Sequence, residues 1–351
     1  MATQQLNAQQ KAFLFNQATR KTNQMIPTRT VTEDSQTVQF DFPKTRLLSK
    51  LYFEIEAIIN VKSTNTTVKV KRFSPYQLIR KMTVDLNNGF SPVVMSGESL
   101  YLSQTGRFHP EVLKPSDSIR AMTYVESKAS ASGVDNKVKF QVEVPFTLND
   151  RDPVGLILLQ NAETLVNLTV DTGKAGDIYD LGSGESATLK SMKMTPMLET
   201  FSIPPTPDAF PDISVLKLVS DKTEKFAGNG QNIITLQTGT IYRKLYLMFL
   251  DDNGVPLKDS DFQGNLELVF NQADIPFSVK PSVFAAKNHS DFGHELDEGV
   301  YVFDFANQGI PNQGGSRDYI DTERLTEFWL RFSTQKAGRV VIVAEKLSRL
   351  R

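Results

Sequence analysis

The chain has 351 residues, 40% of them hydrophobic and 23% charged, which excludes a disordered or collagen-like polymer and leaves room for two sizeable cores. With 39 Lys and Arg against 40 Asp and Glu, the formal net charge is −1, so no global field recruits nucleic acid or an anionic membrane. Cysteine is absent, which excludes disulfides and thiolate metal sites and suits folding in a reducing cytosol.

Residues 1–30 are rich in Gln, Asn and Thr and carry Lys11, Arg20, Lys21 and Arg29 with no Asp or Glu. Ala8, Ala12, Phe15 and Ala18 recur at helical spacing beside Phe13 and Leu14, which predicts a short helix near residues 7–21. The first 21 residues lack a long apolar core and a small-residue cleavage pattern, so a secretory signal is not expected. A frayed or docked terminus and a dedicated contact arm both fit this segment.

From Thr37 the texture is that of strands. Thr37–Phe42 alternates, and Lys50–Val61 places Leu51, Phe53 and Ile55 on one face before turning apolar on both. Thr66–Lys71 alternates again. Met82–Leu86, Asn87-Asn88-Gly89 and Val93–Met95 read as a hairpin, because Asn and Gly tolerate positive φ. Short helices are expected after Ser74-Pro75 and near Gly97–Thr105. Further strands fall at Val138–Pro145, Leu165–Asp171 and Leu189–Phe201.

Pro204, Pro205, Pro207 and Pro211 end this series, since proline supplies no N–H to a ladder. A second series follows at Val215–Val219, Ile233–Thr238, Tyr242–Leu250, Asn265–Asn271, Gly299–Phe305, Phe328–Ser333 and Arg339–Lys346. Two runs of short strands without a βαβ rhythm predict an all-β chain of two sandwiches or jelly rolls. The expected division is an N-terminal arm at 1–30, one domain at 31–203 and another at 204–351.

Candidate chemistry is sparse. His289 and His294 are five residues apart in NHSDFGHE, which is not the spacing of a two-histidine zinc helix, and His109 stands before Pro110 in an expected loop. Gly182-Ser183-Gly184-Glu185-Ser186 lacks the lysine of a phosphate loop and is not a nucleophile elbow. Asp251-Asp252-Asn253-Gly254 has Phe262, not Glu, where a calcium loop would close, so a hairpin turn is the simpler reading. The sequons at Asn65, Asn167 and Asn288 carry no weight without secretion, and Trp329 reads as a strand anchor. No catalytic, cofactor-binding or metal residue is expected, and no specific nucleic-acid binding.

The ordered pieces QQLNAQQKAFLFNQATR, FSPYQLIRKMTVDLNNG, GESLYLSQTG, FQVEVPFTLNDRDPVGLILLQNAETLVNLTV, LDEGVYVFDF and VVIVAEKLSRL resemble the double jelly-roll major capsid proteins of tectiviruses, tailless phages with a membrane inside the shell. Members infecting Gram-positive bacteria are the most similar, and residues 206–290 match only in pattern. The resemblance implies two tandem eight-stranded jelly-roll barrels and a homotrimer of hexagonal outline within an icosahedral virion. It also implies neighbouring capsomers, minor capsid proteins and the internal membrane as partners, synthesis in a host cytoplasm and no catalytic residues. Lys11, Arg20, Lys21, Arg29, Lys346, Arg349 and Arg351 are then the expected inner-face or membrane contacts. The alternatives are a phage spike or carbohydrate-binding β-sandwich, which calls for exposed aromatic platforms, and a cupin-like enzyme, which calls for histidines on strands.

Overall fold

A computed structural model of the chain describes residues 8–87, 89–148, 153–160, 163–211, 213–306 and 319–349. Its backbone divides into two units. The first takes the described residues up to Leu100 and Glu111–Lys217, and the second takes Tyr101–Pro110 and Leu218–Ser348.

In the first unit, α1 (Ala8–Ala18) leads into β1 (Lys21–Met25), β2 (Arg29–Val31), β3 (Thr37–Asp41), β4 (Leu47–Lys62), β5 (Lys69–Val70), β6 (Ile79–Leu86) and β7 (Phe90–Met95). After α2 (Gly97–Thr105), most of which belongs to the second unit, and α3 (Pro110–Leu113) come β8 (Thr123–Val125), β9 (Val134–Pro145), β10 (Ile157–Leu158), β11 (Val166–Thr172), β12 (Tyr179–Asp180) and β13 (Ser186–Phe201). One sheet has the order β1-β13-β4-β9-β8, with β2 beside β1 on the same flank of β13, and the other has β3-β11-β6-β7. With β1 and β2 taken as one broken strand, the eight main strands rank β1/β2, β3, β4, β6, β7, β9, β11, β13. The two sheets then read 1-8-3-6 and 2-7-4-5. That order is the jelly roll, two Greek keys folded over one core.

The second unit contains most of β14 (Val215–Phe226), then β15 (Gly230–Thr235), β16 (Ile241–Asp251), β17 (Leu266–Phe270), β18 (Asp274–Val279) and α4 (Pro281–Phe292). It ends with β19 (Val300–Asp304), β20 (Ile320–Asp321), β21 (Phe328–Thr334) and β22 (Gly338–Arg349). Its sheets run β19-β16-β22-β14 and β15-β21-β17-β18, with β20 appended to β16. Leaving β20 aside, ranking by chain order again gives 1-8-3-6 and 2-7-4-5.

Alternation explains which faces meet. In β4, Leu51, Phe53, Ile55, Ala57, Ile59 and Val61 are all buried, and Phe53 meets Phe40 of the opposing sheet edge-on at 6.0 Å. In the second unit Phe249 of β16 is the hub: its ring lies 5.0 Å from Phe332, 5.1 Å from Phe262, 6.0 Å from Tyr301 and 6.1 Å from Phe226. Phe332 belongs to the other sheet, so one side chain couples both layers. At Gly338 a Cβ would fall 2.0 Å from the Leu250 carbonyl oxygen, which explains the glycine at the start of β22.

Three features differ from the sequence reading. Residues 21–31 are not a detached arm, because β1 and β2 pair along β13 from Lys21↔Phe201 to Val31↔Met192. The proline stretch packs against the first unit: Pro207–Ala209 forms a short 3-10 turn, and Phe210, Ile203 and Ile213 flank a small core of Phe15, Leu47, Leu156 and Phe201. The NHSDFGHE segment begins on helix α4, which the strand pattern does not predict. From α4, the buried amide of Asn288 accepts from Val302 N–H at 2.9 Å and donates to Val302 C=O at 2.8 Å. It thereby completes the outer edge of β19, which would otherwise be left open.

Replacing Phe249 with Ala should cost about 3–5 kcal/mol, because a buried ring shared by both layers cannot be filled by collapse. Urea unfolding that shows a loss below about 1 kcal/mol contradicts the hub. Asn288→Leu should cost about 1–3 kcal/mol for each backbone group of Val302 left unpaired. Hydrogen exchange at Val302 should accelerate in parallel, and unchanged exchange there rules out the edge-capping role.

Candidate assembly surfaces

Among the described residues no group of three or more His, Asp and Glu is placed to hold a metal, and no helix is long and apolar enough to cross a membrane. His109 and His294 come together at 5.2 Å between ring centroids, and His294 Nε2 lies 3.1 Å from the Thr105 carbonyl oxygen, while His289 stays on α4. The two rings therefore pack in the second unit, although their separation in sequence gives no hint of it.

The polar turns use their own side chains. Glu185 accepts from the Ser63 hydroxyl, from Gly182 N–H at 2.8 Å and from Asn65 at 3.2 Å, and these bonds hold its carboxyl below the ordinary range. Asp251 Oδ1 accepts from Asn253 and Val255 N–H, each at 2.9 Å, with Gly254 at φ +76° completing the turn. Of the sequon asparagines, Asn288 and Asn167 are buried and Asn65 is exposed.

The seven expected basic contacts do not behave alike. Lys11 on α1, Arg20 after it and Arg29 on β2 are exposed, and none has a carboxylate partner among the described residues. Lys21 is exposed but committed: its ammonium lies 3.0 Å from Glu199 and 5.5 Å over the Phe201 ring. These four share the first unit with Phe13, which is 62% exposed on α1, and Met25, which is 61% exposed on β1. Lys346, expected as an inner-face or membrane contact, is instead buried, donates to Gln237 Oε1 at 2.7 Å and sits 6.0 Å over the Tyr242 ring. Its register explains this: Lys346 follows Ile342 and Ala344 on the inward face of β22 and pairs with Tyr242. Arg349 closes β22, and Arg351 lies outside the described residues.

Two cavities of about 400 Å³ add to these surfaces. The first unit's is largely apolar, with Leu86, Phe90, Leu156, Leu158, Ile213 and Leu216 on its wall. The second unit's mixes polar side chains, Lys346 among them, with Leu236, Tyr242, Ile342 and Ala344. Sequence reasoning missed both, although the two-residue period of β22 already points Lys346 inward.

No protein-family model matches the chain, and no curated protein matches it. Solved structures do match in fold. The STIV MCP superposes with a TM-score of 0.65 at 14% identity over 93% of this chain and 97% of that one. The PBCV-1 virus capsid gives 0.66 at 11% identity over 94% and 93%, and the major capsid protein P2 from bacteriophage PM2 gives 0.55 at 11% over 94% and 98%. Those structures are double jelly-roll capsid proteins, and this chain has the same all-β double jelly-roll fold along nearly its whole length.

Proposed function

We propose that the chain is the major capsid protein of an icosahedral virus, acting as a structural subunit and not as an enzyme. The observation that carries this reading is the repetition of one eight-strand order twice in a single chain. A lone binding module needs one jelly roll. Two of the same topology let three copies present six similar barrels, so that a threefold assembly approximates a hexagonal tile while its alternate corners keep different loops. The fold likeness to viral capsid proteins supports the same reading.

Within this reading, the tile is a homotrimer that contacts neighbouring capsomers and minor capsid proteins in a tectivirus-like phage of Gram-positive bacteria. The shell encloses a membrane. Lys11, Arg20 and Arg29 form the inner-face contact, and Arg349 and Arg351 belong to the same proposal. Each basic residue near an anionic lipid surface contributes roughly 1 kcal/mol, and the shell multiplies that weak attraction by avidity.

Sedimentation should return a trimer of the 39.3 kDa chain, held by interfaces of the obligate class. A monodisperse monomer at micromolar concentration contradicts the tile. For the membrane contact, Lys11, Arg20 and Arg29 are replaced together by Gln, leaving the Lys21–Glu199 pair intact. Flotation with phosphatidylglycerol vesicles should then weaken by about tenfold or more at low salt, and the parent's binding should fall as salt rises. Parent binding that is absent, or indifferent to both changes, removes the membrane from the reading and leaves the trimer untouched.

A further inference from the structure

We propose that Lys346 anchors an oxyanion-binding site in the second unit, shaped to take a carboxylate. This site is independent of the capsid reading. Lys346 is 6% exposed, yet its ammonium has no carboxylate partner among the described residues. Its contacts are the neutral Gln237 Oε1 at 2.7 Å and the Tyr242 ring at 6.0 Å. Removing an ammonium from water without a counter-charge is costly, and burial accordingly pushes the Lys346 amine below its ordinary range.

Lys244, on the neighbouring strand, provides the contrast. Burial lowers its pKa too, but Tyr246, Asp304 and Glu345 raise it above the ordinary range, with Asp304 only 2.7 Å from its ammonium. Lys244, on the face of the sheet opposite the core, thus has a carboxylate beside it, whereas inward Lys346 has none among the described residues.

Lys346 opens on a cavity of about 410 Å³ that also presents Ser220, Thr235, Gln237, Lys222 and Asp221. Two hydroxyls and an amide offer hydrogen bonds to an oxyanion. Lys222 adds a second cation, although it donates to Thr235 C=O at 3.2 Å and pairs with Glu224 at 2.9 Å. Asp221 is the one acid on this wall, and it disfavours a second negative charge, so the geometry selects a monoanion over a doubly charged phosphate. The carboxylate comes either from a small acid in solution or from an Asp or Glu of a second copy of this chain.

Reductive methylation, with Lys346 followed by mass spectrometry across pH, separates these sources. In the dilute full-length chain, acetate at about ten times its Kd should slow Lys346 labelling by about tenfold by mass action and move its pH profile upward. Chloride at equal ionic strength should do neither, and exposed Lys190 should not respond to acetate. If a second copy is the donor, the upward shift arises on self-association without added acetate and disappears on dilution. Steric covering alone slows labelling without moving the profile. Lys346→Met identifies the signal and should lose the acetate response while the unfolding midpoint is retained or raised. The proposal is overturned when neither acetate nor self-association shifts the Lys346 profile.

Discussion

Each jelly roll closes only when its eighth strand enters between its first and third. In the first unit β13 pairs with β4 from Ser186↔Lys62 to Phe201↔Leu47 on one side, and with β1 and β2 on the other. In the second, β22 pairs with β16 from Ile241↔Leu347 to Asp251↔Gly338 and has β14 on its far flank. In the first unit the opening strand, β1 with β2, thus has no sheet neighbour until β13 has been made. Such distant pairing slows folding, because the loop entropy is spent before the ladder forms. It also fixes which strands become edges, and each edge is treated differently. Asn288 completes the edge at β19, and Pro276 blunts the one at β18. The β15 segment Gly230–Thr235 has neither proline nor charge and leaves Ile233 half-exposed, so this edge lacks the devices that close the other two.

Strands whose side chains alternate were legible in the sequence. The inward set of β4, the Asn-Gly hairpin between β6 and β7, the helix over Gly97–Thr105 and the long run of β16 all follow from period and turn chemistry. The polar β1, Lys-Thr-Asn-Gln-Met, was not legible, because an edge strand with most of its side chains in water carries no hydrophobic period. Helix α4 escaped for a related reason: its buried face consists of Pro281, Phe284, Asn288 and Phe292, and an amide in that row weakens the apolar signal. The strand order itself has no local signature at all. Only the presence of two similar series suggested it.

The basic residues show where composition stops being informative. A terminal run ending in Lys346, Arg349 and Arg351 looks like a cationic tail, but the sheet register turns Lys346 inward while Glu345 lies 3.4 Å from the Arg243 guanidinium. The exposed cations sit on α1 and at the β1/β2 edge, in a segment held by Phe15 against Phe201 at 5.2 Å. That docking gives the positive residues a fixed position on the first unit. A near-neutral chain can in this way carry a local positive face without a global field.

Electron microscopy of the purified assembly tests the central claim most directly, namely that two jelly rolls per chain exist to build a sixfold-like tile from three copies. Class averages should show a threefold particle of hexagonal outline with six barrels around its rim. A particle with one barrel ring per chain, or an outline without threefold symmetry, contradicts the account.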